Sequence, residues 1–425
     1  MKNIIDELSW RGLIKNKVPG VEKQLKKRTT MYVGFDPTSD SLHLGSLLPI
    51  IILIHFQKLG HKSIVLIGGA TGLIGDPSEK KNQRVFFSLE DLQKNTESIK
   101  KQLSKLLNLE KTELLNNFSW IKKISLLDFL RNVGKHFPIN YMMSKDSVKK
   151  RIYNNKKNGM SFTEFSYSLI QGYDFLYLNQ EKDCLLQIGG SDQWGNITTG
   201  IELIKKKTGK KAYGITFPLV TKSDGIKFGK SEKGENIWLD RKRTTPYKFY
   251  QFWMNVSDKE IEKFIKIYTF FSREKIESLI LKHRENPEKR FLQKRVAEEI
   301  TQWVHGKKAY EEVVKISHVL FCKKYIKDLL LTLDEKILFS IYENIPHMKL
   351  SYQEFEEGVS LLDVLKKSSL FSSKSEANRA LNLNSISINK KLVKKNILLQ
   401  KENLIGKKYI LFQFGKKNFF IIKVE

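Results

Sequence analysis

Four short apolar runs punctuate the first half of the chain, and each opens into a cluster of glycine and polar residues. MYVGF (31–35) leads into DPTSDSLHLGS, and SIVLI (63–67) into GGATGLIGDPSEKK. CLLQI (184–188) leads into GGSDQWGN, and ITFPLV (215–220) into TKSDGIKFGKS. A helical period follows each cluster. Apolar runs this short read as buried strands, and strands alternating with helices predict an α/β fold with a parallel sheet covered on both faces. Ligands of such sheets bind outside the carboxyl ends of the strands. The four clusters therefore converge on one edge, bringing Asp36, Thr38, His43, Asp76, Lys80, Arg84, Asp192, Gln193, Lys227 and Lys230 together.

A longer apolar stretch, FTEFSYSLIQGYDFLYL, precedes the third run. Read as a helix, it stacks Tyr167, Gln171 and Asp174 on one face at i, i+4 and i+7. Such a stripe either faces solvent or lines a cavity. Solvent faces are mostly Lys and Glu, and this window carries few charges. Gly172 costs about 1 kcal/mol relative to Ala inside a helix. It points to close approach by a ligand or another segment.

Beyond about residue 240 the periodicity turns helical, in YKFYQFWMNV, in DKEIEKFIKIYTFF, and in one long amphipathic run from Glu288 to Val319. Residues 321–355 read as a linker. The last stretch reads as short helices, with Ser375 as a cap, then SISIN and a hairpin, KKYILFQF-GKKN-FFIIKV. Lys374, Arg379, Lys390, Lys391, Lys416 and Lys417 could meet phosphates there, or form an ordinary solvated surface.

Charge sharpens this picture. The 425 residues include 75 Lys+Arg against 46 Asp+Glu, a formal net charge of +29, with a pI near 9.7. That balance implies a polyanionic partner, nucleic acid first. Lys, Ile and Asn are all abundant, so biased codon usage could supply part of the excess, and net charge alone does not establish RNA binding. Cys184 and Cys322 have no metal-ligand spacing, and no metal site or disulfide framework is expected. The N-terminus, MKNIIDELSWRGLIKN, lacks the apolar core of a signal peptide. The apolar run LLPIIILI is too short to span a membrane and contains Pro49. A cytoplasmic setting away from membranes is expected.

The clusters also carry chemistry. HLGS at a helix start offers free backbone N–H groups, a small Gly45 and an imidazole donor, which suits a nucleotide. KFGKS offers two ammonium groups, which suits a polyphosphate in motion. GxxxxGK[ST] is absent, so a P-loop is excluded.

Together these stretches resemble the bacterial-type tyrosine–tRNA ligases, class I aminoacyl-tRNA synthetases. HLGS (43–46) is similar to the HIGH signature and KFGKS (227–231) to KMSKS. YVGFDPT, GGATGLIGDPS, FTEFSYSLIQGYDF and LQIGGSDQWGNI occur in the family's order. One departure is Ser46, where the family usually has His or Asn. The resemblance implies a Rossmann-like catalytic domain (1–222) and a KFGKS loop with a helical anticodon-side domain (223–320). A linker (321–355) and a C-terminal α+β RNA-binding module (356–425) would follow.

By the same resemblance, Tyr32 and Asp174 would hold a substrate phenol, and Asp76, Tyr167 and Gln171 its ammonium group. Gln193 would lie near the carboxylate and Asp192 at the ribose of ATP. Gly34, Asp36 and Gly45 would also line the nucleotide site. Thr38, His43, Lys80, Arg84, Lys227 and Lys230 would stabilise the pyrophosphate leaving group. Lys374, Arg379, Lys390 and Lys391 would contact RNA. ATP with magnesium, L-tyrosine, tRNA(Tyr) and a second copy of the chain are the implied partners. Two alternatives remain open at this point: a related ligase for tryptophan, and a non-catalytic RNA-binding protein on the same scaffold.

Overall fold

The computed structural model describes residues 4–77, 87–145, 148, 149, 152, 160–221, 228, 229, 234–321, 330, 333–368, 370–415 and 418–425. The chain divides into two compact units, Met1–Asp240 with Val256–Val296, and Arg241–Asn255 with Ala297–Glu425.

The first unit is built on a six-stranded sheet: β1 (Asn16–Lys17), β2 (Thr30–Phe35), β3 (Lys62–Ile67), β4 (Thr112–Asn116), β5 (Cys184–Gly190) and β6 (Tyr213–Phe217), in the order β1-β6-β5-β2-β3-β4. Every pairing is parallel except that of the short edge strand β1 with β6. The expected run 215–220 is displaced. The strand starts at Tyr213 and stops at Phe217, before Pro218, which cannot donate to a ladder. Chain order reverses between β2 and β5. From β2 the chain moves to β3 and β4, and from β5 to β6. That switch point is where a parallel sheet leaves a crevice for ligands.

The stretch around Gln171 is a helix, Phe162–Lys182. It opens with a capping box in which Ser161 accepts from the Glu164 backbone and the Glu164 side chain reaches back to the Ser161 N–H. Gly172 does mark a close approach. A Cβ there would lie 3.2 Å from Thr199 Cγ2 and 3.4 Å from the Gly200 nitrogen. The partner is thus the helix Trp194–Thr208, not a ligand. Leu169, Phe175, Leu176 and Leu178 pack with Leu203 and Ile204 in one buried cluster.

Helices Asp258–Tyr268 and Arg273–Glu285 belong to this same unit. Buried Arg11 anchors the end of the first. Its guanidinium donates to the carbonyls of Lys266, Thr269 and Phe271 at 2.6, 2.8 and 2.6 Å, while Glu7 accepts from Nε at 2.7 Å.

The long run expected from Glu288 to Val319 is two helices, Phe291–His305, whose residues are divided between the units at Val296, and Lys307–Phe321 in the second unit. Gly306 separates them at φ 89°, a backbone conformation glycine adopts without strain. A five-stranded sheet follows: β7 (His347–Leu350), β8 (Ile386–Ile388), β9 (Lys391–Leu392), β10 (Tyr409–Phe414) and β11 (Asn418–Val424), ordered β7-β11-β10-β8-β9. The hairpin of β10 and β11 is as expected, with Lys416 and Lys417 outside the described residues. The helix Lys374–Asn382 is capped by Ser373 rather than Ser375. Glu376 lies three residues after Ser373, and its N–H donates to Ser373 Oγ at 3.2 Å.

Candidate active site

A cavity of about 350 Å³ opens at the switch point. Its floor is the ends of β2 and β5, with Tyr32, Gly34, Gln187 and Gly190 on its lining. Asp36, Thr38, His43, Gly45, Asp76, Tyr167, Gln171, Asp174, Asp192 and Gln193 line it as well. The polar stripe of the Phe162–Lys182 helix therefore faces a cavity and not solvent. Lys80, Arg84, Lys227 and Lys230 lie outside the described residues.

The closed end holds Asp174 and Tyr32, each 1% exposed. Trp120 Nε1 donates to Asp174 Oδ1 at 2.8 Å, and Asn117 Nδ2 to Oδ2 at 2.9 Å. Burial pushes the Asp174 carboxyl up to about 7, the two donors pull it down, and the nearby Asp36 charge adds to the rise. The Tyr32 hydroxyl is buried with no hydrogen-bond partner, and burial beside Asp174 holds its pKa well above the ordinary value. Leaving such a group unpaired costs about 1–3 kcal/mol. The arrangement sets a buried hydroxyl beside a buried carboxyl. A phenol fits it, donating to the carboxylate and accepting from the tyrosyl hydroxyl.

A chain of hydrogen bonds runs from this end along the wall. Asn117 Nδ2 also donates to Thr71 Oγ1 at 3.2 Å, and Thr71 to Asp36 Oδ1 at 2.7 Å. Tyr167 donates to Asp36 Oδ2 at 2.8 Å. That bond holds the Tyr167 hydroxyl on the cavity wall. Gln193 Nε2 donates to Asp76 Oδ2 at 2.6 Å. Asn196 Nδ2 bridges Gln171 Oε1 at 2.9 Å and Gln193 Oε1 at 3.2 Å. Acceptors thus converge where an ammonium group could sit.

His43 lies at the mouth, exposed, at the start of the turn Leu44–Ser46. Its Nδ1 accepts from the Gly45 N–H at 3.0 Å. A neutral imidazole with Nδ1 accepting carries its proton on Nε2. A Cβ on Gly45 would come within 2.9 Å of the His43 ring, so only glycine allows this geometry. The Gly229 end of KFGKS approaches the same turn. Gly229 has φ 101°, and a Cβ there would lie 3.3 Å from Leu44 Cβ. Phe228 is buried with its ring 4.0 Å from that of Phe264. The two signatures, far apart in sequence, meet here through their glycines.

The sequence reading missed Asn117 and Trp120, which position Asp174, along with Thr71, Gln187 and Asn196. The run TELLNN before Phe118 was too short and too polar to be noticed as strand β4. In the second unit, Arg379 and Lys391 are exposed. Lys374 pairs with Asp363. The Lys390 ammonium turns onto the Leu320 carbonyl and lies 5.1 Å from the centroid of the Phe419 ring.

Comparison with known proteins gives the family. Residues 23–321 match the family described as tRNA synthetases class I (W and Y), and residues 338–422 match the tyrosine–tRNA ligase SYY-like C-terminal domain. The tyrosine–tRNA ligase of Flavobacterium johnsoniae is 49% identical over 100% of both chains. That of Bacteroides fragilis is 48% identical over 99% of both. The crystal structure of a C-terminally truncated Aspergillus nidulans mitochondrial tyrosyl-tRNA synthetase covers 76% of this chain and 95% of its own at 30% identity, with a TM-score of 0.68. With a synthetase fold, a cavity at its switch point and near-half identity along the whole chain, this protein belongs to the tyrosine–tRNA ligases of class I.

Proposed function

We propose that the chain joins L-tyrosine to tRNA(Tyr) in two steps driven by ATP, and that the lining residues take the following roles. Tyrosine enters with its phenol toward Asp174 and Tyr32. Its ammonium group meets Asp76, Tyr167 and Gln171, and its carboxylate lies near Gln193. ATP occupies the mouth, with its ribose on Asp192 and its phosphates near Gly34, Asp36, Thr38, His43 and Gly45. Magnesium travels with the polyphosphate as part of that substrate.

In the first step a tyrosine carboxylate oxygen attacks the α-phosphorus. The bond from that phosphorus to the bridging oxygen breaks, and pyrophosphate leaves with the electron pair. The carboxylate is already ionised at neutral pH, so no base is needed. Catalysis is positioning and charge stabilisation. His43 Nε2 donates to the polyphosphate, and Lys80, Arg84, Lys227 and Lys230 supply cations to the leaving group. In the second step a ribose hydroxyl of the terminal adenosine of tRNA attacks the tyrosyl carbonyl, releasing AMP.

The observation that carries this reading is the orphaned Tyr32 hydroxyl beside Asp174. Phenylalanine would leave the Tyr32 hydroxyl unpaired and bring Asp174 no donor beyond Trp120 and Asn117. Tyrosyl-tRNA synthetase is itself the standard case of rejection by unpaired polar groups, at about 10⁵ over phenylalanine. An indole would bring no hydroxyl to accept from Tyr32.

We further propose a homodimer that works in the cytoplasm, with tRNA bound across both copies. Leu126, Leu127, Ile139 and Phe162 are large, apolar and exposed on the first unit, a pattern that marks interfaces. Among the described residues no helix is long and apolar enough to cross a membrane. Residues 356–425, with Lys374, Arg379, Lys390 and Lys391, would hold RNA.

ATP–pyrophosphate exchange with each of the twenty amino acids tests the activity. Exchange with tyrosine alone is expected. Exchange driven equally by tryptophan, or by none, would defeat it.

A further inference from the structure

Lys145 sits in the turn after the helix Ile139–Met143, and its ammonium reaches the first turn of the helix Trp194–Thr208. Nζ donates to the Gly195 carbonyl at 2.6 Å and to Thr199 Oγ1. The Thr199 hydroxyl in turn donates to the same carbonyl at 2.8 Å. The Tyr141 ring centroid lies 5.2 Å from the ammonium. Among the described residues no carboxylate pairs with Lys145.

This arrangement works against folding on two counts. A cation at the N-terminal turn of a helix opposes the helix dipole. Burial without a counter-charge also lowers the Lys145 pKa from 10.5 to about 8. An apolar side chain would fill the space without either cost.

What the ammonium grips explains the choice. Gly195 stands between Gln193 and Asn196, the two amides that reach Asp76 and Gln171. Thr199 stands at a close approach of the two helices, against Gly172, the neighbour of Gln171. Lys145 therefore holds both the turn that carries the amides and the crossing that sets their distance from the facing helix.

We infer that Lys145 is a positioning residue for the amino-acid pocket, clamping Gly195 and Thr199 so that Gln193 and Asn196 stay aimed at Asp76 and Gln171. The inference rests on the tyrosine reading above. Loss of the ammonium charge should loosen the clamp, because charge-assisted hydrogen bonds are roughly twice as strong as neutral ones. Two other ionisable groups lie close by, Tyr141 and Lys206. Tyr141 has its own pKa raised by burial and by Glu202. Lys206, beside the same ring, is paired with Glu202 at 3.3 Å.

The test is tyrosine-dependent pyrophosphate exchange across pH, with thermal melts, for the wild type, Lys145→Met and Lys145→Arg. Wild-type kcat/KM for tyrosine should fall as pH rises through about 8. Lys145→Met should lose roughly tenfold, chiefly in KM for tyrosine, the scale of one hydrogen bond to a charged group. It should also lack that limb. Lys145→Arg should keep activity and carry the limb upward.

Stability should move the other way. The folded pKa lies below the unfolded one, so this group's contribution to stability grows between about pH 8 and 10.5. Activity and stability diverge, which a merely structural lysine would not produce. Wild-type KM and an unchanged limb in Lys145→Met would overturn the inference. If that variant does not fold, an unmoved limb in Lys145→Arg would do the same. Tyrosine-dependent exchange by the wild type tests the underlying reading separately.

Discussion

Substituting Tyr32→Phe removes one oxygen from the floor of the cavity and leaves the ring in place. In the protein alone that oxygen is buried and bonds to nothing. The ring packs 5.3 Å from Phe175, centroid to centroid, and phenylalanine preserves that contact. Removing an unpaired buried hydroxyl relieves a penalty of about 1–3 kcal/mol, against a small cost for the space left behind. The free variant should therefore melt at the wild-type temperature or above it. Binding should change in the opposite sense. With tyrosine bound, the hydroxyl gains a neutral hydrogen bond worth about 0.5–1.5 kcal/mol, which corresponds to roughly a twofold to thirteenfold rise in KM on its loss. Phenylalanine offers no hydroxyl, so its use should stay level or improve. The assay pairs calorimetry of the free protein with pyrophosphate exchange on both amino acids. A variant that melts earlier would mean that the hydroxyl is bonded within the protein. Equal losses for tyrosine and phenylalanine would mean that it does not read the phenol.

Two further outcomes follow from the same structure. Asp174 has a folded pKa of about 7, raised from 3.8 mainly by burial. Its contribution to stability is thus full below the unfolded value and is lost as pH rises through about 7. Melting of the free wild type should carry that downward slope, and Asp174→Asn should flatten it; an unchanged slope would place the titration elsewhere. A chain ending at Phe321 should still form tyrosyl-adenylate but charge tRNA poorly, with a salt slope of tRNA binding shallower by about one log–log unit per phosphate contact removed. The cut must precede the helix Glu335–Asn344, because β7 at His347–Leu350 pairs with β11 and belongs to the C-terminal sheet. Charging equal to that of the full chain would show that the RNA contacts lie outside the removed part.

The sequence disclosed those parts of the fold whose burial is complete. Strands β2, β3 and β5 are buried along most of their lengths, so each reads as a near-continuous apolar run rather than an alternating one. β1 is two polar residues at an edge, Asn16–Lys17, and has no such signature. β4 is exposed or half-buried along most of its length, so its composition, TELLN, gives little away. The consequence reaches the site. β4 ends at Asn116, and the next residues swing Asn117 and Trp120 onto Asp174. Missing the strand meant missing both donors. The doublet Asn-Asn closing an apolar pair, with a Trp three residues on, was the available signal.

The stripe on the Phe162–Lys182 helix was visible because helical spacing places chemistry on a face, but the face alone could not say what it met. Gly172 illustrates the limit. Its cost in a helix announced a close approach, and either a ligand or a second helix would satisfy that. The choice depended on the facing helix, where Gly200 is a second interior glycine whose Cβ would come within 2.9 Å of Phe175. Lys145 lies further along the same line. In the sequence it is one of very many lysines, with an ordinary turn around it. Only the fold brings its ammonium to a helix start where a cation is unwelcome. A residue held at a place that opposes its own charge is where packing alone has stopped being the explanation, and such places are found by electrostatics rather than by pattern.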